Sequence, residues 1–387
     1  MGNKSLRQAR QAKNDEFYTQ LSTIEQEVRH YRKHFKGKTV YLNCDDPRES
    51  NFFHYFSYNF ERLGLKKLIA SCYKSQDFNL FSLHNVNEKA VWLEYTGEKD
   101  GGRVPTAEAI GVNHFKGDGD FRSEESIELL KQADIVCTNP PFSLFREYIA
   151  QLMEYDKKFL VIGNSNAIGY KEIFPLIKDN KMWPGVNSAP MTFILPNDTK
   201  STSYFVDEND GKKKQTLGNA TWWTNLDYPR RHQDLILFRK YKGNEDKYPK
   251  FINHPAINVD KIADIPVDYK GVMGVPIGII GQCNPAQFSI LGISTMPENY
   301  KHHQFEGGIT HNANNGSSKK SDVVNKRFVY MTQNKPKKGT YYTVNELDGY
   351  LIAPYTRVFI QNKRLNPEIY ANEDGEESWR NIETIEK

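Results

Sequence analysis

Short β-rich runs alternating with helix-like stretches predict an α/β fold, a parallel sheet covered on both faces, through about residue 235. Two further observations shape that expectation. The chain has 387 residues, more than one hydrophobic core usually serves, so a second domain is expected. Beyond about residue 236 the alternation fades into scattered β-like runs rich in Tyr, Asn and Lys. The divisions that follow are an arm and helix (1–36), an α/β domain (37–235) and a carboxyl-terminal region of different character (236–387).

Residues 1–14 are basic and polar, an arm whose charge sits on residues such as Arg7, Arg10 and Lys13. From 16 to 35, Leu21, Ile24, Val28, Tyr31 and Phe35 recur at helical spacing, and Gly37 stops the stripe. TVYLNC (39–44) reads as the first strand, followed by a helix over 52–63 and by a second strand, KKLIASCY (66–73). The hydrophilic stretch 74–111 reads as a hairpin or excursion, and Ser123 as the cap of a helix over 123–132. ADIVCTNPPF (133–142) is a third strand with a helix over 145–155 behind it; KKFLVIGN (157–164) is a fourth, with a helix over 170–179. A polar stretch at 197–219 reads as a surface hairpin or mobile loop, after which TWWTNL (221–226) resumes the strand pattern. The polar run 311–321 reads as a loop, and the acidic end around Glu373, Asp374, Glu376 and Glu377 as a solvated tail.

Composition excludes several classes. Lys and Arg number 52 against 48 Asp and Glu, a net charge of +4 that permits a nucleic-acid partner without requiring one. The 38% of hydrophobic residues excludes a wholly disordered chain. No apolar run approaches the ~20 residues that span a bilayer. The amino terminus lacks the apolar segment of a secretory signal, so a cytoplasmic protein is expected. Cys44, Cys72, Cys137 and Cys283 lie far apart, which favours free thiols over a disulfide framework. His302, His303 and His311 lack metal-ligand spacing, and no metal is expected.

The feature that carries chemistry is Asn139-Pro140-Pro141-Phe142 at the end of the third strand. One reading is a turn, since Pro-Pro cannot continue a ladder. The other is a ligand site, because open α/β sheets bind ligands at the carboxyl ends of their strands. An Asn oxygen and a backbone carbonyl held by proline can accept both N–H bonds of an exocyclic amine such as adenine N6. That favours a tetrahedral nitrogen whose lone pair points at an electrophilic methyl group. Phe142 offers a face on which the base stacks.

The motif belongs to a series. DEFYT (15–19), NCDDPRESNF (43–52), LGLKKLIASCY (63–73), GDGDFRS (117–123), NPPFSLF (139–145), KKFLVIGN (157–164), WWTNLD (222–227), AINV (256–259) and YKGVMGVPI (269–277) follow in one order. With these blocks the chain resembles the adenine-specific DNA methyltransferases, most closely the EcoRI-type family, over about residues 15–290. The resemblance implies a Rossmann-like sheet that binds S-adenosylmethionine, with a smaller carboxyl-terminal target-recognition domain. It also implies methyl transfer to N6 of a flipped adenine in a specific duplex DNA sequence, and the gamma order of motifs.

By the same resemblance Tyr18 and Thr19 close over the methionine part of the cofactor. Asp45, Asp46 and Pro47 occupy the loop where most methyltransferases carry a Gly-rich turn, which is missing here. Asp45 and Asp46 would accept from the cofactor's ammonium or ribose, or else form an Asp-Pro turn that caps the next helix. In the GDGDF segment, with Asp118 at its turn, Asp120 would accept from the cofactor's adenine while Phe121 packs on that ring. For an acidic ribose ligand only Asp77 offers itself. Trp222 or Trp223 would sandwich the flipped base against Phe142, with core packing as the other reading.

A duplex-acting enzyme that flips a base needs phosphate contacts to offset the cost. Between 301 and 342, Lys301, Lys319, Lys320, Lys326, Arg327, Lys335, Lys337 and Lys338 face only Glu306 and Asp322, and this cluster is the expected DNA-binding surface. Double-stranded DNA is the expected partner; a restriction endonuclease of the same site is left open. Two other readings stand beside this one. They are an S-adenosylmethionine-dependent enzyme acting on RNA or a protein glutamine amide, and a non-catalytic DNA-binding protein with a methyltransferase-like fold.

Overall fold

The structure, a computed structural model, describes residues 18–73, 90–101, 103–188, 190–195, 203–296 and 303–364. Arg7, Arg10, Lys13, Asp77, Lys301, His302 and the acidic end lie outside them. The chain divides into two compact units, Met1–Arg231 and His232–Lys387.

The strands of the first unit are β1 (Tyr18–Thr19), β2 (Thr39–Leu42), β3 (Lys67–Ser71), β4 (Val91–Tyr95), β5 (Asn113–His114), β6 (Ile135–Thr138), β7 (Lys158–Asn164), β8 (Trp183–Ser188), β9 (Met191–Ile194), β10 (Phe205–Val206), β11 (Lys213–Leu217) and β12 (Ala220–Thr224). Eight of them form one sheet in the order β5-β4-β3-β2-β6-β7-β12-β8. The four expected strands are its parallel centre: β3 and β6 flank β2, and β7 lies beyond β6. The strand order therefore reverses between β2 and β6. A second, antiparallel sheet runs β1-β9-β11-β10, so the surface hairpin expected near 197–219 is a strand pair where it is described.

Both faces of the large sheet are covered, which decides the fate of the Trp pair. Successive residues of a strand point to opposite faces. On one face Trp222 meets Phe52 of the helix Asn51–Tyr58, ring centroids 6.1 Å apart. On the other Trp223 meets Phe145 at 6.4 Å. Both indoles are 0% exposed. The expectation that either sandwiches a flipped base is thereby corrected, because neither ring has a free face.

Several helices are shorter than their apolar stripes suggest. The stripe at 16–35 splits into Leu21–Val28 and Arg32–Phe35, and the one at 52–63 into Asn51–Tyr58 and Phe60–Leu63. Asn59 supplies the second break: its φ is −101° and its amide donates to the Tyr55 carbonyl at 2.9 Å. The helix expected over 170–179 shrinks to Phe174–Lys178. Ser123 caps Glu124–Gln132 as expected, accepting from the Ser126 N–H at 3.2 Å.

Ile24, Val28, Tyr31 and Phe35 are buried in the main core with Phe56 and Trp222. Among them sits a carboxylate, Glu27, 0% exposed. Its Oε1 accepts from the Tyr31 hydroxyl and the Val186 N–H, and its Oε2 from the Asn187 N–H and side-chain amide, each at 2.8 Å. Glu27 thus ties the amino-terminal helix to β8. A Cβ at Gly185 would collide with this carboxylate, which explains a glycine inside that strand.

The second unit is built of β13 (Ala256–Asn258), β14 (Val272–Pro276), β15 (Phe288–Ile293), β16 (Ile309–Asn312), β17 (Ser318–Lys320), β18 (Tyr330–Thr332), β19 (Thr340–Thr343), β20 (Tyr350–Ile352) and β21 (Arg357–Asn362). They make a four-stranded sheet, β13-β14-β21-β15, and a five-stranded one, β17-β16-β19-β20-β18. Small clusters form its core: Phe251, Phe328 and Phe359 in one, Phe305, Val324, Tyr342 and Leu351 in the other. The run 311–321, expected to be a loop, is mostly the β16–β17 hairpin. Gly316 at φ +71° turns the chain there, and His311, placed on β16, stacks on Tyr341 at 4.7 Å.

Replacing Glu27 by Gln is expected to destabilise the protein by about 1–3 kcal/mol. In either orientation the new amide turns its NH2 toward a backbone N–H, of Val186 or of Asn187. The guanidinium unfolding midpoint measures the loss, and a midpoint equal to the parent's would refute this account.

Candidate active site

The carboxyl ends of β2 and β6, where the strand order reverses, are where an open α/β sheet forms a ligand crevice. A cleft lined by His34, Lys38, Asp134, Lys157 and Asp227 lies at the opposite, amino ends of β2, β6 and β7. The loop after β2, the GDGDF segment beside Cys72 and the NPPF turn after β6 lie at the carboxyl ends.

Asn139 follows β6 directly and is 8% exposed; Pro140 is buried beside it. Pro141 has φ −54° and ψ 126°, an extended step that proline favours, and its carbonyl accepts from the Leu144 N–H at 3.0 Å. The chain then winds through a short 3-10 turn, Phe142–Leu144, into the helix Phe145–Glu154. Phe142 is half-buried against the main core. Phe145 packs so closely on β7 that a Cβ at Gly163 would overlap its ring. That glycine lets the helix seat directly behind the NPPF turn.

The helix organises the neighbouring loops. The Tyr148 hydroxyl donates to Asn43 Oδ1, the first side chain after β2. The Asn43 carbonyl in turn accepts from the Thr138 hydroxyl at the end of β6. Burial holds the Tyr148 phenol well above its ordinary pKa, so it remains a donor throughout the working pH range. The Tyr148 ring meets Phe121 edge-on at 5.1 Å, and Gln151 donates to the Phe121 carbonyl at 3.0 Å. One helix therefore fixes the loops after β2 and β6 and the GDGDF segment together.

The loop after β2, which has no Gly-rich turn, has an unusual backbone. Cys44 adopts φ +90°, a region non-glycine residues rarely occupy. Burial, reinforced by the neighbouring Asp45, pushes its thiol pKa up. Asp46 accepts from the Arg48 backbone N–H at 3.0 Å and holds the Arg48 guanidinium through both carboxylate oxygens. Its carbonyl accepts from Glu49 and Ser50. Asp46 thus forms the turn, and the helix cap falls to Ser50, which accepts from the Phe53 N–H and donates to Asp45. Pro47 is buried within the turn.

Asp120 repeats the pattern. It accepts from the Arg122 backbone N–H at 2.8 Å and from the guanidinium at 2.9 and 2.7 Å; Arg122 also reaches Glu147 at 2.9 Å. Asp118 accepts from the Asp120 N–H at 3.0 Å. Between them Gly119 has φ +74°, and a Cβ there would overlap the Cys72 carbonyl and stand 2.9 Å from Ala90. Phe121 is mostly buried, packed on Tyr148 with the Arg122 guanidinium over its ring at 5.2 Å.

The Tyr18-Thr19 segment joins the site through the second sheet. Thr19 pairs with Phe193, and its carbonyl accepts from Asn51 at 2.8 Å, the first residue of the helix behind the β2 loop. Thr19 is 2% exposed and its hydroxyl is buried with no hydrogen-bond partner among the described residues.

The GDGDF segment, the loop after β2 and the end of β6 are therefore joined through Tyr148 and Asn43, and Thr19 is joined to the helix behind the β2 loop through Asn51. Tyr148, Asn43, Arg48 and Arg122 take part although sequence reasoning gave them no role. A signal for Tyr148 exists: Phe145, Tyr148, Ile149 and Leu152 form one buried helical face, and a phenol on such a face needs a partner. In the second unit Lys319, Lys320, Arg327, Lys337 and Lys338 are exposed, and Lys326 pairs with Asp322 at 3.8 Å.

The profile of the adenine-specific methyltransferase EcoRI family matches residues 5–363. The Type II methyltransferase M.EcoRI of Escherichia coli is 53% identical over 293 residues, 75% of this chain and 89% of that protein. M.MgeORF184P of Mycoplasma genitalium is 41% identical over 294 residues, covering 75% and 86%. M.MpnI of Mycoplasma pneumoniae is 39% identical over 295 residues, covering 75% and 85%. A chain matched by this profile over nearly its whole length, with relatives this similar, belongs to the EcoRI-type adenine-specific methyltransferase family, as an enzyme of Type II DNA modification.

Proposed function

We propose that this enzyme transfers a methyl group from S-adenosylmethionine to N6 of an adenine flipped out of a specific duplex DNA sequence. The observation that carries the reading is the rigid seating of Asn139 and Pro140 at the switch point, behind a helix that also holds the β2 loop.

Adenine N6 is a poor nucleophile because its lone pair is delocalised into the ring. Asn139 Oδ1 and the Pro140 carbonyl would accept its two N–H bonds. The proline ring fixes the carbonyl's direction, and Phe142 offers a face for the base. Positioning and hydrogen bonding then do the catalytic work. The bound cofactor supplies an electron-poor methyl group on a sulfonium. The residues around its site fit such a molecule. The buried Thr19 hydroxyl, without a hydrogen-bond partner among the described residues, suits a polar substituent, with Tyr18 beside it. Asp45, Asp46 and Asp120 suit ammonium, hydroxyl or amine donors. Pro47, Asp118 and Phe121 shape the walls.

The carboxyl-terminal unit is the proposed target-recognition domain. Lys319, Lys320, Lys337 and Lys338 form no ion pair among the described residues, and no acidic residue occurs between 307 and 321 or between 323 and 345. Uncompensated cations of this kind neutralise phosphates, with Lys326 and Arg327 next to them in sequence. Restriction–modification is the setting implied, with an endonuclease that cuts the same sequence when it is unmethylated.

Two outcomes are expected. In a tritiated-methyl assay on unmethylated duplex DNA the parent protein should form N6-methyladenine, and Asn139→Ala should lower the rate by about 10²-fold or more. Label on protein or RNA but never on DNA would overturn the reading. Tyr148→Phe removes a positioning hydrogen bond rather than a group that touches substrate. Single-turnover rates should fall about tenfold while stability drops by about 1–3 kcal/mol. A rate unchanged beside that stability loss would show Tyr148 to be structural only.

A further inference from the structure

One end of the five-stranded sheet carries an aromatic side chain that packing does not explain. After β20 the chain turns through Ala353, Pro354 and Tyr355 into β21. Tyr355 is 92% exposed, more than any other large apolar side chain among the described residues. Its backbone is nonetheless held. Arg357, 7% exposed, donates to the Tyr355 carbonyl at 3.3 Å while its Nε donates to Asn258 at 2.9 Å and its Nη2 reaches Asp260 at 3.4 Å. Pro354 fixes φ just before it. The ring is therefore presented to solvent on a stiff tip.

Strand register says what surrounds this tip. β19 runs antiparallel to β20 with Tyr342 opposite Leu351, so the start of β19 and the end of β20 share one end of the sheet. β16 runs antiparallel to β19 with Asn312 opposite Thr340, which brings the β16–β17 turn to the same end. The turn is tied there: the Ala313 N–H donates to the Gly339 carbonyl at 2.9 Å, and the Gly339 N–H donates to Asn314 Oδ1 at 3.0 Å. Lys337 and Lys338 immediately precede that anchor, and both are exposed, as are Asn314 and Asn315. A stiff aromatic, two uncompensated cations and two amide side chains thus occupy one end of one sheet.

We infer that Tyr355 contacts DNA, its ring stacking on a base at a step of the duplex that the lysines at this end hold. The inference rests on the DNA-methyltransferase reading and extends it to a recognition contact. Lysines neutralise phosphates and amides reach base edges, but neither uses an aromatic face. A ring held outward is suited to stacking on a base or wedging a step apart, and its stiffness avoids an ordering cost on binding.

The test uses the full chain and a duplex containing a sequence the parent protein methylates, with 2-aminopurine substituted in turn at positions along it. Tyr355→Ala should weaken binding about tenfold and abolish the 2-aminopurine signal at one step. Tyr355→Phe should bind within about twofold of the parent, because the ring rather than the hydroxyl makes the contact. Melting temperature and S-adenosylmethionine binding should be unchanged in both. An Ala variant that binds like the parent, or a Phe variant as weak as Ala, overturns the inference. If the parent transfers no methyl group to any duplex, the underlying reading falls instead.

Discussion

The bond from the Tyr148 hydroxyl to Asn43 is the constraint on which the site depends. It joins the helix that follows the NPPF turn to the first residue beyond β2, and Asn43 joins β6 through the Thr138 hydroxyl. A phenol and an amide this deeply buried cannot go unpaired without a cost of 1–3 kcal/mol or so each. The two loops therefore hold one another in place. The same helix reaches the GDGDF segment through Gln151 and the edge contact of Tyr148 with Phe121. Gly163 permits all of this, since any side chain there would drive Phe145 and its helix off the sheet.

Most of the large sheet was legible in the sequence because its parallel strands are buried on both faces and read as continuous apolar runs. That double burial also explains the misreading of Trp222 and Trp223: two adjacent aromatics on one strand meet two different covering layers. Helix breaks at Asn59 and near Tyr31 were hidden, because apolar spacing continues across them. The β16–β17 hairpin was hidden for the opposite reason. Its strands are half-buried or exposed and polar, so no hydrophobic alternation marks them. Within the site, NPPF and GDGDF were legible as motifs. The positive φ of Cys44 was not, since residue type argues against it.

The two Asp-x-Arg pairs bear on how a cationic cofactor would be received. Asp46 with Arg48 and Asp120 with Arg122 have the same geometry: a backbone N–H and a guanidinium from residue i+2 on the carboxylate of residue i. Each loop is thereby locked before any ligand arrives, and each keeps a second acidic residue, Asp45 or Asp118. Two bare carboxylates in one crevice would repel each other and attract any cation. Arginine pairing weakens that field. In the second unit Lys319, Lys320, Lys337 and Lys338 form no ion pair among the described residues, and cations of that kind would attract a polyanion by long-range charge. A net charge of +4 is the sum of these two strategies, and it describes neither.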